Sequence, residues 1–466
     1  MSAQIRNIIV IGQGVAGLAA ALAAAEHARA LNLGVAITLL EKAPEGEAGG
    51  NTRWSPSYMR MASPDRVEPS FVDDMLKATG GRGDRAYFER LATEAPATVG
   101  WIASHGVEFH QPVYYLAKGP PRIQPVGGGP AVIQALTRAA KAAGVMFRYD
   151  CAAQTLRADG GKISGIDVES ESLAADAVIL ASGGFQGSAA MMSEHLGPPA
   201  KSMKLISPGT RFNTGDGIKM AQTRGAHISG DWRGMHCEPV DPRSMNSAPV
   251  VLVYPYGIVV DRNGDRFFDE GAGLVHETWE AFARQIQFEA PGAVAYAILD
   301  SRLLQIADYQ RAIRSEVPPF QADTIQALAK AIDIPPDALA ATVARYNEAA
   351  PGDSAKFDAT RCDGLAAGGD LDPPKSNWAR ALDKPPYLAW PLIGAVAYTF
   401  GGLATNENAE VLGNGGAIPG LYAAGEITGH FHGTAPNAVS VLRAFVFGRI
   451  AGRQAISFLA AAAPAY

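Results

Sequence analysis

The chain has 466 residues, 47% of them hydrophobic and 18% charged, with a formal net charge of −6 and no basic stripe of the kind nucleic-acid binders carry. That length is about three domain equivalents, enough for a buried core and a cleft between lobes. Cys151, Cys237 and Cys362 lie far apart in no metal or haem spacing, and no uncharged apolar run approaches the about 18 residues of a membrane span, so we expect a soluble, cytoplasmic enzyme without signal segment, membrane span or nucleic-acid partner.

Glycine is enriched, with 51 residues, about 11% against a usual about 7%, and it clusters at the ends of apolar runs. Asn7–Ile11 reads as a buried parallel strand. Gly12-Gln-Gly14-Val15-Ala16-Gly17 follows, then an Ala-rich helix over Leu18–Leu31 and a strand over Ala36–Leu40 that ends at Glu41 and Lys42. This is the dinucleotide fingerprint, with the acid 24 residues past the last glycine where about 20 is usual. Gly12 allows the tight turn, Gly14 admits a pyrophosphate, and Gly17 lets helix and strand pack closely. The helix start, at Val15 and Ala16, offers free N–H groups to phosphate, and Glu41 accepts from a ribose. Gly49-Gly50-Asn51-Thr52 comes next. The strand Ala177–Leu180 runs into Ala181-Ser182-Gly183-Gly184, and Thr214-Gly215-Asp216 lies beyond it. A strand from Pro419 returns late in the chain and delivers Gly425-Glu426. The last helix is expected near Val439–Leu459, started by Thr434-Ala-Pro-Asn437, which places Asn437, Ser440 and Val441 at its N-terminus. One fingerprint rather than two, with glycine pairs at several strand ends, favours FAD over a nicotinamide co-substrate. Proline pairs at 318–319, 335–336, 373–374 and 385–386 punctuate the region before the return strand, and 338–350 has a helical pattern.

These segments, with Gly127–Gly129, Gly209–Gly217, Val259–Glu270 and Trp378–Asp383, resemble the FAD-binding flavoproteins of the fumarate reductase/succinate dehydrogenase superfamily, with the closer likeness to the tricarballylate dehydrogenase branch. The resemblance implies an α/β fold: a discontinuous Rossmann-type FAD domain (1–230 and 399–466) and an inserted α+β capping domain (231–398). It implies redox chemistry at a carbon–carbon bond beside a carbonyl or carboxylate. It also implies that the last helix points its N-terminus at the flavin ring. Some relatives attach FAD to a histidine near the early glycine pair; residues 49–56 hold none, so noncovalent FAD is expected. No haem motif is present, so electrons pass to a separate acceptor (protein, quinone or oxygen).

By the same resemblance His236 takes the place of a carboxylate-binding histidine, and Tyr398 that of a histidine before a glycine pair. A catalytic arginine of fumarate reductases falls at Leu274, with His276 two residues on. The loop His430–Asn437 lacks the family's second arginine; Arg443 lies one to two turns inside the helix and is not counted with the site. Tyr398, His276 and His236 are therefore the acid/base candidates. His430, His432 and Tyr254 (or Tyr256) are the candidates for holding a ketone or one carboxylate. No metal is expected at His430-x-His432, which lacks a third ligand. The expected activity is an FAD-dependent dehydrogenase or desaturase acting α,β to a carbonyl of a small acid or cyclic ketone. The alternatives are an ene-reductase fed by a reduced donor, tricarballylate dehydrogenase proper, and a flavin-carrying electron-transfer subunit.

Overall fold

A computed structural model describes residues 5–462. Its first sheet has six strands in the order Glu410–Gly413, Gly416–Ala423, Ala177–Leu180, Arg6–Ile11, Val35–Leu40, Met146–Arg148. All neighbours are parallel except the first pair. The β-branched run of Arg6–Ile11 is central because both faces of the sheet are covered, one by the helices Val15–Ala30 and Ser440–Ala461 and the other by the antiparallel strands Ala153–Asp159 and Lys162–Val168, and a continuously apolar strand suits that. The fingerprint helix Val15–Ala30 packs along the last helix, Ser440–Ala461. That approach is at backbone level: a Cβ at Gly448 or Gly452 would collide with the carbonyl oxygens of Ala16 and Ala20.

A second sheet is organised by the long strand Tyr387–Thr399. Met235–Val240, Ala295–Leu299 and Phe320–Ala322 join it antiparallel, and Lys204–Leu205 joins it parallel. Pairing with Met235–Val240 sets His236 opposite Tyr398, and a bulge interrupts the ladder between His236 and Cys237. Bulges re-aim side chains where a ladder would otherwise fix them.

The last helix spans Ser440–Ala461, within two residues of the expected Val439–Leu459, but neither Thr434 nor Asn437 caps it: Val439 at its cap supplies no side-chain acceptor. The polar groups expected to cap it bond elsewhere: Thr434 Oγ1 donates to the Ala78 carbonyl, and Asn437 Oδ1 accepts from the Tyr114 hydroxyl. No helix among the described residues is long and apolar enough to cross a membrane.

Candidate active site

A cavity of about 710 Å³ opens where the two sheets meet. One part of it is the fingerprint. Gly12, with φ +102°, turns the chain out of the strand, and a Cβ there would sit 2.5 Å from the Ala181 carbonyl oxygen. A Cβ at Gly17 would overlap the Gly12 carbonyl oxygen. Around Gly14 the space is open: the nearest atom to an added Cβ is Thr52 Oγ1, at 3.9 Å. Gly14 caps the helix without any side-chain acceptor; the Val15 N–H reaches Thr52 Oγ1 only at 3.5 Å, and Gly14, Val15 and Ala16 line the cavity, as an anion site at a helix start requires. Glu41 is buried, and its carboxylate accepts from the N–H groups of Gln13 and Ala43, both at 2.8 Å. Its remaining lone pairs face the cavity. Lys42 Nζ donates to Thr214 Oγ1 (2.5 Å) and Asp216 Oδ2 (2.8 Å), closing the wall beside it.

Glu426 accepts from the Thr399 N–H and from Asn213 Nδ2, both at 3.1 Å. Burial pushes its carboxyl up to about 7, against the Thr399 N–H, Arg443, the Gly184 N–H and Gln186. The uncapped start of the last helix brings Ser440 and Val441 to the same cavity. Among the expected cofactor residues, Gly12, Gly14, Val15, Ala16, Glu41, Lys42, Gly50–Thr52, Ala181–Gly183, Thr214, Asp216, Gly425, Glu426, Asn437, Ser440 and Val441 line it. Gly17, Gly49, Gly184 and Gly215 shape the adjoining turns without lining it. A glycine-rich backbone cradle, two helix starts without side-chain caps and an acid at the strand end fit FAD.

The other part of the cavity holds His236, His276 and Tyr398. The His236 and Tyr398 rings are 4.9 Å apart. His236 Nδ1 meets Glu280 Oε2 at 2.5 Å, and Nε2 meets Glu238 Oε1 at 3.3 Å. Burial opposes charge on the imidazole, but the hydrogen bonds and charges of Glu238 and Glu280 outweigh it and push its pKa up to about 10. His236 is therefore an imidazolium at neutral pH. The Tyr398 phenol is pushed far above its ordinary range, first by burial and then by the Glu280 charge, against Arg443 and Ser440. His276 is pulled down, first by burial and then by Arg122 and Arg60, against Glu277; its Nδ1 is buried without a partner.

Three expected substrate ligands do not reach the cavity. His430 is buried, stacked on Tyr87 at 3.6 Å and bonded through Nε2 to Thr405 Oγ1 at 2.8 Å. Burial, Arg443 and His432 keep it neutral. His432 faces the Arg82–Asp231 pair instead. Tyr254 packs on Phe282, and its hydroxyl meets Thr278 Oγ1; Tyr256 donates to the Ala359 carbonyl. The loop before the last helix thus turns His430 into the protein, where Tyr87 and Thr405 satisfy it. Arg211 pairs with Glu47 at the surface.

Conversely, Arg443 does line the cavity, with its guanidinium bonded to the Thr428 carbonyl at 3.1 Å. Glu238, Glu280, Arg122 and Arg314 also line it and were not foreseen. Two of them had a signal. Glu238 lies two residues from His236 on one strand, and Glu280 lies four from His276 on the helix Val275–Phe288, spacings that share a face.

The model of the FAD binding domain matches residues 7–441. The chain belongs to this FAD-binding family. It is 29% identical to "Fumarate reductase (cytochrome)" of Shewanella frigidimarina, over 97% of this chain and 77% of that one. It is 27% identical to vinyl phenol reductase of Lactiplantibacillus plantarum, over 97% and 96%. The open conformation of a flavocytochrome c3 fumarate reductase superposes with a TM-score of 0.76 at 26% identity, covering 98% of this chain and 79% of that one. This member of the family is a fumarate-reductase-type flavoprotein, an FAD-dependent oxidoreductase acting on CH–CH groups.

Proposed function

We propose that the protein works as an ene-reductase, saturating a C=C bond conjugated to a carbonyl, with a separate electron donor and with FAD held noncovalently. In this reading residues 231–398 form the cap over FAD-binding parts 1–230 and 399–466; residues 1–4 and 463–466 of those ranges lie outside the described residues. FAD, when bound, supplies hydride-equivalent redox chemistry.

The observation that carries the direction is the protonation of the site. Tyr398 is a neutral phenol and His236 a cation, so the one carries a proton to give and the other is no base to take one. Saturation needs a proton at the carbon α to the carbonyl, and in this reading Tyr398 is that acid. Negative charge grows on the carbonyl oxygen meanwhile, and the His236 cation offsets it through space, its ring nitrogens being engaged by Glu280 and Glu238. Desaturation would instead require a phenolate or a neutral imidazole, which burial and the two carboxylates disfavour. Leu274 and the loop His430–Asn437 leave both arginine positions of the fumarate reductases empty, so turnover of fumarate or succinate is expected to be negligible.

The test is anaerobic. Protein reduced with dithionite is mixed with 2-cyclohexenone, 4-oxo-2-cyclohexene-1-carboxylate, acrylate or trans-cinnamate, and flavin colour is followed; oxidised protein is mixed with the saturated counterparts. Reoxidation by an unsaturated compound, faster than bleaching by its counterpart, supports the reading. Faster bleaching assigns the dehydrogenase direction, and no response in either arm assigns an electron-transfer role.

A further inference from the structure

Arg122 is 4% exposed and lines the cavity, yet its Nε and Nη2 have no hydrogen-bond partner. Its guanidinium lies over Tyr58 and Tyr114, 3.8 and 3.7 Å from the ring centroids, with Tyr115 at 5.5 Å. Aromatic faces stabilise the cation and hold its plane, but they take nothing from the in-plane N–H donors. Arg314 stands beside it: its Nη2 donates to the Tyr58 hydroxyl at 3.0 Å. Tyr58, Tyr115 and Arg314 also border a second cavity of about 350 Å³, so the anion-seeking wall is shared between the two spaces.

Among the described residues no carboxylate forms an ion pair with Arg122 or Arg314. The neighbouring Arg60 differs: it is paired with Asp74 at 2.6 Å and Glu68 at 3.5 Å. A buried guanidinium with orphaned donors is costly unless an anion completes it.

We infer that Arg122, with Arg314, anchors a single carboxylate of the substrate at a distance from the reacting bond. The fixed guanidinium plane suits a bidentate carboxylate. From Arg122 the wall continues through Tyr115 to Trp279 (5.6 Å) and from Trp279 to His236 (6.3 Å), a run of rings that fits an apolar body between anchor and reacting end. At that far end His236 is already paired with Glu238 and Glu280 and Arg443 is bonded to the Thr428 carbonyl, so a second carboxylate there finds no open guanidinium fork. The substrate class is a monoanionic acid with an uncharged conjugated carbonyl. This deepens the proposed function and rests on it for the position of the reacting bond alone.

The test reads binding and not turnover. Benzoate and its neutral counterpart benzamide are titrated into the FAD-loaded protein, and the visible absorption of the flavin is followed. Benzoate is expected to bind at least about 10-fold tighter than benzamide. Arg122→Gln is expected to abolish that preference with flavin content unchanged. Arg122→Lys, which keeps charge but not the fork, and Arg314→Gln each reduce it, and they carry the test if Arg122→Gln loses flavin. Equal binding of the two probes, no response to benzoate, or an undiminished preference in these variants overturns the anchor. A protein that prefers benzoate in this way but reoxidises with no acceptor keeps the anchor and loses the proposed reaction; reoxidation without the preference does the reverse.

Discussion

Replacing Glu280 by Gln tests the charge state on which the proposed chemistry depends. Glu280 Oε2 is 2.5 Å from His236 Nδ1, and the two side chains are 8% and 12% exposed, so solvent screens the pair weakly. At a charge separation of about 4 Å and an effective dielectric of about 20, one carboxylate favours the imidazolium by about 4 kcal/mol, or about three in pKa. His236 stands at about 10 with both carboxylates present, so it should fall to about 7 with Glu238 alone. The assay is the pH dependence of flavin reoxidation by an unsaturated acceptor. The wild-type rate should hold through neutral pH and decline as pH rises through about 10, whereas the variant should decline from about pH 7, an about 10-fold or larger loss at pH 8.5. The sign for stability follows from linkage. The folded pKa lies above the unfolded value of about 6.5, so the stabilisation is complete below that pH and is lost as pH rises through about 10. Thermal melts should therefore show the two proteins converging at high pH. An unchanged alkaline limb in Glu280→Gln, with normal FAD content, would refute the reasoning.

Tyr398→Phe removes one hydroxyl and little volume; the reoxidation rate should fall about 10²-fold with flavin retained, and near-normal rates would return Tyr398 to a packing role. Gly17→Ala puts a Cβ into the Gly12 carbonyl and should yield protein with little bound flavin and a lower Tm, read from visible absorbance and melting. Acid precipitation should release about one FAD per chain into the supernatant; yellow colour left in the pellet would contradict noncovalent binding. His430→Ala removes the stack on Tyr87 and the bond to Thr405, so it should cost about 1–3 kcal/mol of stability while leaving KM unchanged, and a raised KM at wild-type Tm would show that the ring does reach substrate.

The FAD half of the molecule was legible because its determinants are local. A β-branched strand, glycines at three fixed spacings and an acid at the end of the next strand are each dictated by backbone sterics over a few residues, and they place Gly12, Gly14 and Glu41 without knowledge of any distant contact. The proposed catalytic pair was half legible. Tyr398 and His236 were marked by resemblance, but the fact that they face one another comes from the register of Met235–Val240 against Tyr387–Thr399. The spacing of Glu238 and Glu280 gave a face but not the partner that face would meet. The substrate wall was not legible at all. His430 and His432 looked like ligands because a loop histidine before a helix has no visible partner in one dimension; Tyr87, Thr405 and the Arg82–Asp231 pair, far off in the chain, supply those partners. Arg60 and Arg122 flank the lone bridge between Met59 and Ile123 and come together with Tyr58, Tyr114 and Arg314 through long-range packing. Local pattern determines backbone geometry within an element, whereas the charge and protonation of a cleft depend on which side chains from separate elements are buried within a few ångströms of one another, and that is decided when the chain folds.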